Sequence, residues 1–131
     1  MSVPLHTPRQ YLSQAQHNLD VAAYLRKAPS YSLDWAATCL FYAAIHLVNA
    51  FLQQHRIPIP RRHRGKPGAP GRTNIVQQDP RLRPIYKNYR RLDDESRDAR
   101  YELKRFVDAD YDTYLLPQLL TIQQFITPLV K

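Results

Sequence analysis

From Trp35 to Leu52 the chain runs for 18 residues without one Asp, Glu, Lys or Arg. Within it Phe41, Ile45, Val48 and Leu52 recur at spacings of three and four. Leu40, Ala44, Leu47 and Phe51 form a second such row beside the first. That periodicity is helical, and a helix apolar over so much of its circumference must be central in a bundle or lie at an interface between chains. Thr38, His46 and Asn49 interrupt the run, so it reads as a buried helix and not a membrane span. The helix should open near Ser32, with Asp34 in its first turn, where a negative charge suits the dipole. Its breadth also points to a homodimer.

The other helices must cover this one. Thr7 and Pro8 form a cap and first-turn pair, followed by Leu12, Ala15, Leu19, Ala22 and Ala23 on one face. Ala28-Pro29 should end that helix. A third helical region is predicted from Asp79 to about Arg100, irregular at Pro80 and Pro84, with a break between Lys104 and Asp110. A last helix is predicted from Asp110 to Val130, bent or delayed by Pro117. No segment alternates apolar and polar residues over a strand's length. The expected fold is all-α: one domain over residues 1–131, an up-and-down antiparallel bundle of four to five helices.

Between the second and third helices lies His55 to Thr73, with all three glycines, four of the eleven prolines and six cations but no acid. Such a loop, at about 55–73, excludes regular structure and is too long to be a mere connection. Its Gly-rich backbone with Arg64 and Arg72 could cradle phosphate, or it could be a solvated basic tether. The net charge of +8 agrees with a polyanion partner, nucleic acid or nucleotide. The bland alternative is a basic protein with no such partner.

The segment Ser96 to Leu103, SRDARYEL, offers a second anion site. Arg97 and Arg100 stand three apart on a helix, where each guanidinium can donate two hydrogen bonds to one anion. Ser96 and Tyr101 would add neutral donors. The competing reading pairs both arginines with Glu95, Asp98 and Glu102 along the helix. His63, among cations, should be a neutral imidazole able to act as a base. His46 is read either as a core or interface residue or as a second proton carrier. Cys39, the single cysteine, excludes an intrachain disulfide, implies a reducing cytoplasm and reads as a small apolar group. The N-terminal segment lacks a signal peptide's apolar core. No ligand spacing for a metal is present, no cofactor is implied, and Asp108, Asp110 and Asp112 read as helix-start charges.

FYAAIHLVNAFL, the His-bearing basic loop (RRHRG, then GRTNIV), YKNYRRL and SRDARYEL together resemble a prokaryotic HEPN-domain protein, from about Tyr31 onward. The resemblance implies a helical bundle, commonly dimeric. It implies RNA or nucleotide binding, with metal-independent RNA cleavage in a toxin or defence system. The alternative it implies is a non-catalytic partner of an antitoxin or a nucleotidyltransferase. Arg97, His63 and His46 would then be the catalytic candidates, and Arg100, Tyr101, Ser96, Arg64 and Arg72 the phosphate contacts. One feature departs from the family. Nuclease members carry an Arg, four to six residues, then a His on a late helix, and no His follows Arg97 or Arg100 at that spacing. Arg56 and His63 have the spacing but lie in the loop.

Overall fold

A computed structural model of the chain describes residues 6–28, 32–66 and 68–131. The N-terminal segment, the stop assigned to Pro29, the start of the resemblance at Tyr31, and Pro67 of the loop lie outside the described residues.

Helix α1 spans Pro8–Lys27. Thr7 Oγ1 accepts from the Gln10 amide at 3.2 Å, and Gln10 Oε1 accepts from the Thr7 amide at 2.8 Å. This reciprocal cap satisfies two donors that a helix start leaves open. Ala28 turns extended, as a residue before proline must. Helix α2, Leu33–Gln54, is buried along nearly its whole length, with Leu40, Phe41, Val48, Ala50 and Leu52 at 0–1% exposure. Each large side chain so buried contributes roughly 1.5–3 kcal/mol. Arg56 ends α2 in the left-handed region at φ 56°. The Ile57 amide returns to Leu52 O at 2.8 Å, and the Arg56 amide to Gln53 O at 3.2 Å. Those are the two bonds of a Schellman stop, here without glycine.

The third region is longer than the sequence pattern suggested. Helix α3, Arg72–Gln78, begins in the last two residues of the expected loop and fills the stretch before Asp79 to which no element was assigned, and a 3₁₀ turn at Arg83–Ile85 leads into α4, Tyr86–Tyr101. Leu103, also at φ 56°, follows the end of α4, just before the break predicted from Lys104. Helix α5, Asp108–Asp110, passes through a π-helical turn at Tyr111–Leu115 into α6, Leu116–Ile126. The wide turn sits just before Pro117, whose ring and missing N–H forbid an ordinary turn there. Asp110 caps the start by accepting from the Val107 amide at 2.8 Å.

The contacts fix the directions. Tyr11, early in α1, lies against His46, late in α2, so these helices are antiparallel. Phe41 meets Tyr89, while Asp34 and Thr38 share a cleft with Arg100, so α2 and α4 are antiparallel. Arg26 binds Asp112 at 2.9 Å and Gln123 binds Gln16 at 3.2 Å, so α6 runs against α1. The molecule is an up-and-down helical bundle with α2 at its centre. By length and composition α2 could cross a membrane, but 78% of its apolar window is buried inside the bundle.

Candidate functional site

The basic loop is tied down at several points. Asn74, in the first turn of α3, accepts through Oδ1 from both the Gly65 and Gly71 amides at 2.9 Å. The Arg72 amide donates to Arg62 O and the Thr73 amide to His63 O, at 2.9 and 2.7 Å. Gly65 must lack a side chain, because a Cβ would meet Ala69 O at 2.1 Å. Two of the glycine amides expected to cradle phosphate are therefore spent on Asn74.

Arg72 is the centre of this knot. It is 5% exposed. Its Nε donates to Asn49 Oδ1 at 2.9 Å, one terminal nitrogen lies 3.1 Å from His63 Nδ1, and the other donates to Pro60 O at 2.9 Å. Arg72 thus joins α2, the loop and α3 from within. That corrects its reading as a phosphate contact, because a guanidinium with every edge engaged inside the protein has none to offer a ligand.

Across from it, α4 buries an unusual stripe. Tyr89, Asp93, Ser96 and Arg100 fall at helical spacing on one face. Tyr89, Asp93 and Ser96 are 0–1% exposed. The Tyr89 hydroxyl, Asp93 Oδ2, Ser96 Oγ and Arg100 Nε are all buried without a hydrogen-bond partner in the protein. Each such group costs about 1–3 kcal/mol, which stability alone would select against. Burial pushes the Tyr89 hydroxyl's pKa up, with a smaller opposing effect from Arg72. Asp93 has Arg64 as its nearest cation, at 3.6 Å. Ser96 therefore lies beneath the site and is not a surface donor.

The arginines of SRDARYEL differ from Arg64 and Arg90. Arg64 is neutralised by Asp94 at 3.0 Å, Arg90 by the same carboxylate at 3.1 Å, and Glu95 is taken by Lys104 at 2.6 Å. This pairing removes Arg64 from the free phosphate contacts, since acids of α4 supply what the loop lacks. Arg97 and Arg100 have no ion pair among the described residues, so the pairing along the helix with Glu95, Asp98 and Glu102 does not form. The Arg100 guanidinium lies 5.3 Å above the Tyr101 ring, and Tyr101 is 70% exposed, outside the core. Arg100 also lines a cleft of about 370 Å³ with Asp34, Trp35, Thr38, Ala99 and Leu103.

His63 meets this surface from the loop. Its ring packs on Phe41 at 5.3 Å, which in turn packs on Tyr89 at 5.6 Å. Burial lowers its pKa from the ordinary 6.5. Arg72 then lowers it further and Asp93 opposes, while Arg100 and Arg97 add smaller depressions. The charges of Arg100 and Arg97 thus reach the His63 ring, though no direct contact joins them to it among the described residues. The structure does not bring in His46, which faces α1, stacks on Tyr11 at 6.2 Å and lines a cleft with His6, Gln10 and Gln14. Burial lowers the His46 pKa too, then Arg72 and His6. Cys39 is half-buried, and burial pushes its thiol up, away from the reactive thiolate.

Asn49, Tyr89 and Asp93 are the site residues that sequence reasoning missed. Their signal was a polar group at a helical position that packing must bury. Among the described residues no three His, Cys, Asp or Glu side chains converge as metal ligands. Comparison of the chain with protein-family models, curated proteins and solved structures finds no match.

Proposed function

We propose that the chain is a HEPN-like bundle that binds RNA or nucleotide phosphate on the surface formed by Arg97, Arg100 and His63. One observation carries this reading: Arg97 and Arg100 have no ion pair among the described residues on a helix where Arg90, Asp93, Asp94 and Glu95 each have one, so their charge, like that of Lys87 and Arg91, is left unneutralised. Two unneutralised guanidinium groups beside a neutral imidazole make a donor-rich surface suited to phosphate oxygens. The exposed Tyr101 ring adds a face on which a base can stack. An up-and-down bundle is also the architecture that the HEPN resemblance implies, though many unrelated proteins share it.

The test is binding of a mixed single-stranded RNA pool at two salt concentrations, with cleavage followed in EDTA. Wild type should bind with strong salt dependence. Arg97→Ala should weaken binding about tenfold and flatten the salt slope by roughly one contact. Its folding stability should stay within about 0.5 kcal/mol of wild type. Unchanged binding by Arg97→Ala would end this assignment. RNA cut in EDTA by wild type and not by Arg97→Ala would make the surface that of a metal-independent endoribonuclease.

A second reading has its own support. Trp35 and Leu103 are 60% and 82% exposed at the cleft beside Arg100. Large exposed apolar groups of this kind suit a protein partner, either a second copy of the chain or an antitoxin or nucleotidyltransferase subunit. Light scattering of wild type against Trp35→Ser separates self-association from a monomer awaiting another chain.

A further inference from the structure

The His63 ring is held in one orientation by a partner that can only donate. A guanidinium keeps its proton at all ordinary pH and has no acceptor. The 3.1 Å contact from Arg72 to His63 Nδ1 therefore makes Nδ1 the acceptor. A neutral imidazole has one accepting and one donating nitrogen, so its proton sits on Nε2. Flipping the ring would put a C–H against the guanidinium and lose the bond. Arg72 itself cannot turn away, being fixed by Asn49 and Pro60, while the His63 carbonyl is held by the Thr73 amide. Nε2 has no protein partner among the described residues and is not among their buried unpartnered atoms.

Arg72 and Phe41 touch this ring, and the further charges that act on it are Asp93, Arg100 and Arg97. Counting Arg72, three are cations, and the one carboxylate also faces Arg64. Asp93 alone favours an imidazolium, against burial and the three cations. What reaches the surface is thus a set of donors: two guanidinium groups and one imidazole N–H.

We infer that His63 is a hydrogen-bond donor to a bound phosphoryl group, locked by Arg72 as the neutral Nε2–H tautomer, and not a proton acceptor. This corrects the sequence-based expectation of a base, because the only lone pair that could take a proton is turned inward onto Arg72. It rests on the phosphate-binding reading above for its ligand, but the tautomer itself does not. Arg72 is a positioning residue: it sets which nitrogen of His63 meets the ligand.

The experiment is long-range proton–nitrogen correlation NMR on the ¹⁵N-labelled full chain. Spectra are taken from neutral pH down through 6.5, without ligand, with inorganic phosphate, with a 5′-mononucleotide and with short single-stranded RNA. Nδ1 should resonate as an unprotonated nitrogen and Nε2 as a protonated one, with the tautomer kept to below pH 6.5. Ligand should shift the Nε2–H signal, and the arms tell a free phosphate, a nucleotide and an RNA backbone apart. Arg72→Gln should release a mixture of tautomers. His63→Gln, which keeps a side-chain N–H donor, should bind within about threefold of wild type, and His63→Ala about tenfold more weakly. An Nδ1–H tautomer, or an imidazolium at neutral pH, overturns the inference while leaving phosphate binding to stand on Arg97 and Arg100. An Nε2–H tautomer with no shift at His63, Arg97 or Arg100 under any ligand overturns the binding surface itself, and the donor role with it.

Discussion

The two sides of α2 are filled on opposite terms. Toward α1 the contact is made by small apolar residues: Ala15 and Ala22 are the residues α1 buries fully, at 2% and 0% exposure. Alanine there lets two helices approach closely, and His46 Nδ1 is the one α2 atom buried on this side without a partner among the described residues. Toward α4 the same helix meets Tyr89, Asp93, Ser96 and Arg100, each with a buried polar atom lacking a partner. One side is optimised for packing. The other carries groups that packing alone would have replaced. When a fold gathers several costly polar groups along one face, that face is where its chemistry should be sought.

Three substitutions would break or sharpen this contrast. The largest effect is expected at Phe41, which touches both His63 and Tyr89 and is fully buried. Phe41→Ala should cost about 3–5 kcal/mol in urea unfolding, because it opens a cavity where the two sides join. A cost under about 1 kcal/mol would mean that the site does not share the core. Next is Ala22→Leu on the tight side, expected to cost about 1–3 kcal/mol through overpacking. If thermal unfolding shows it neutral, the α1 contact has slack and the contrast weakens. The smallest effect is expected at Ser96. Removing an unpartnered hydroxyl with Ser96→Ala should change stability by less than about 1 kcal/mol, or raise it. A loss beyond about 2 kcal/mol would show that the hydroxyl is satisfied and the stripe is structural.

Much of the fold was legible in the sequence. The Thr7-Pro8 start, the apolar run of α2, the break after Tyr101 and the disturbance at Pro117 all follow from local chemistry. The form of that disturbance did not, since a π turn is decided by how the flanking residues pack. Helix α3 was missed because proline and glycine density marked its surroundings as loop. The signal was there in Asn74, three residues after Gly71, able to cap its own helix start. Part of the site was legible too. Arg97, Arg100 and His63 were singled out for their chemistry, and the charges of both arginines reach the His63 ring. Arg72, Arg64 and Ser96 were singled out equally, and the structure assigns them support, pairing and burial.

What the sequence alone determined was periodicity, capping and charge inventory, because these depend on residues within a turn or two of one another. It settled that the chain is helical, that α2 is central in a bundle or at an interface, and that the loop is basic. What only the tertiary structure decided was the use of each charge. Ion pairing and burial depend on which distant side chains arrive within a few ångströms, as Asp94 does at Arg64 and Asn49 at Arg72. The tautomer of His63 is the finest instance. Nothing near it in sequence chooses between its two nitrogens, and a buried arginine nine residues away does.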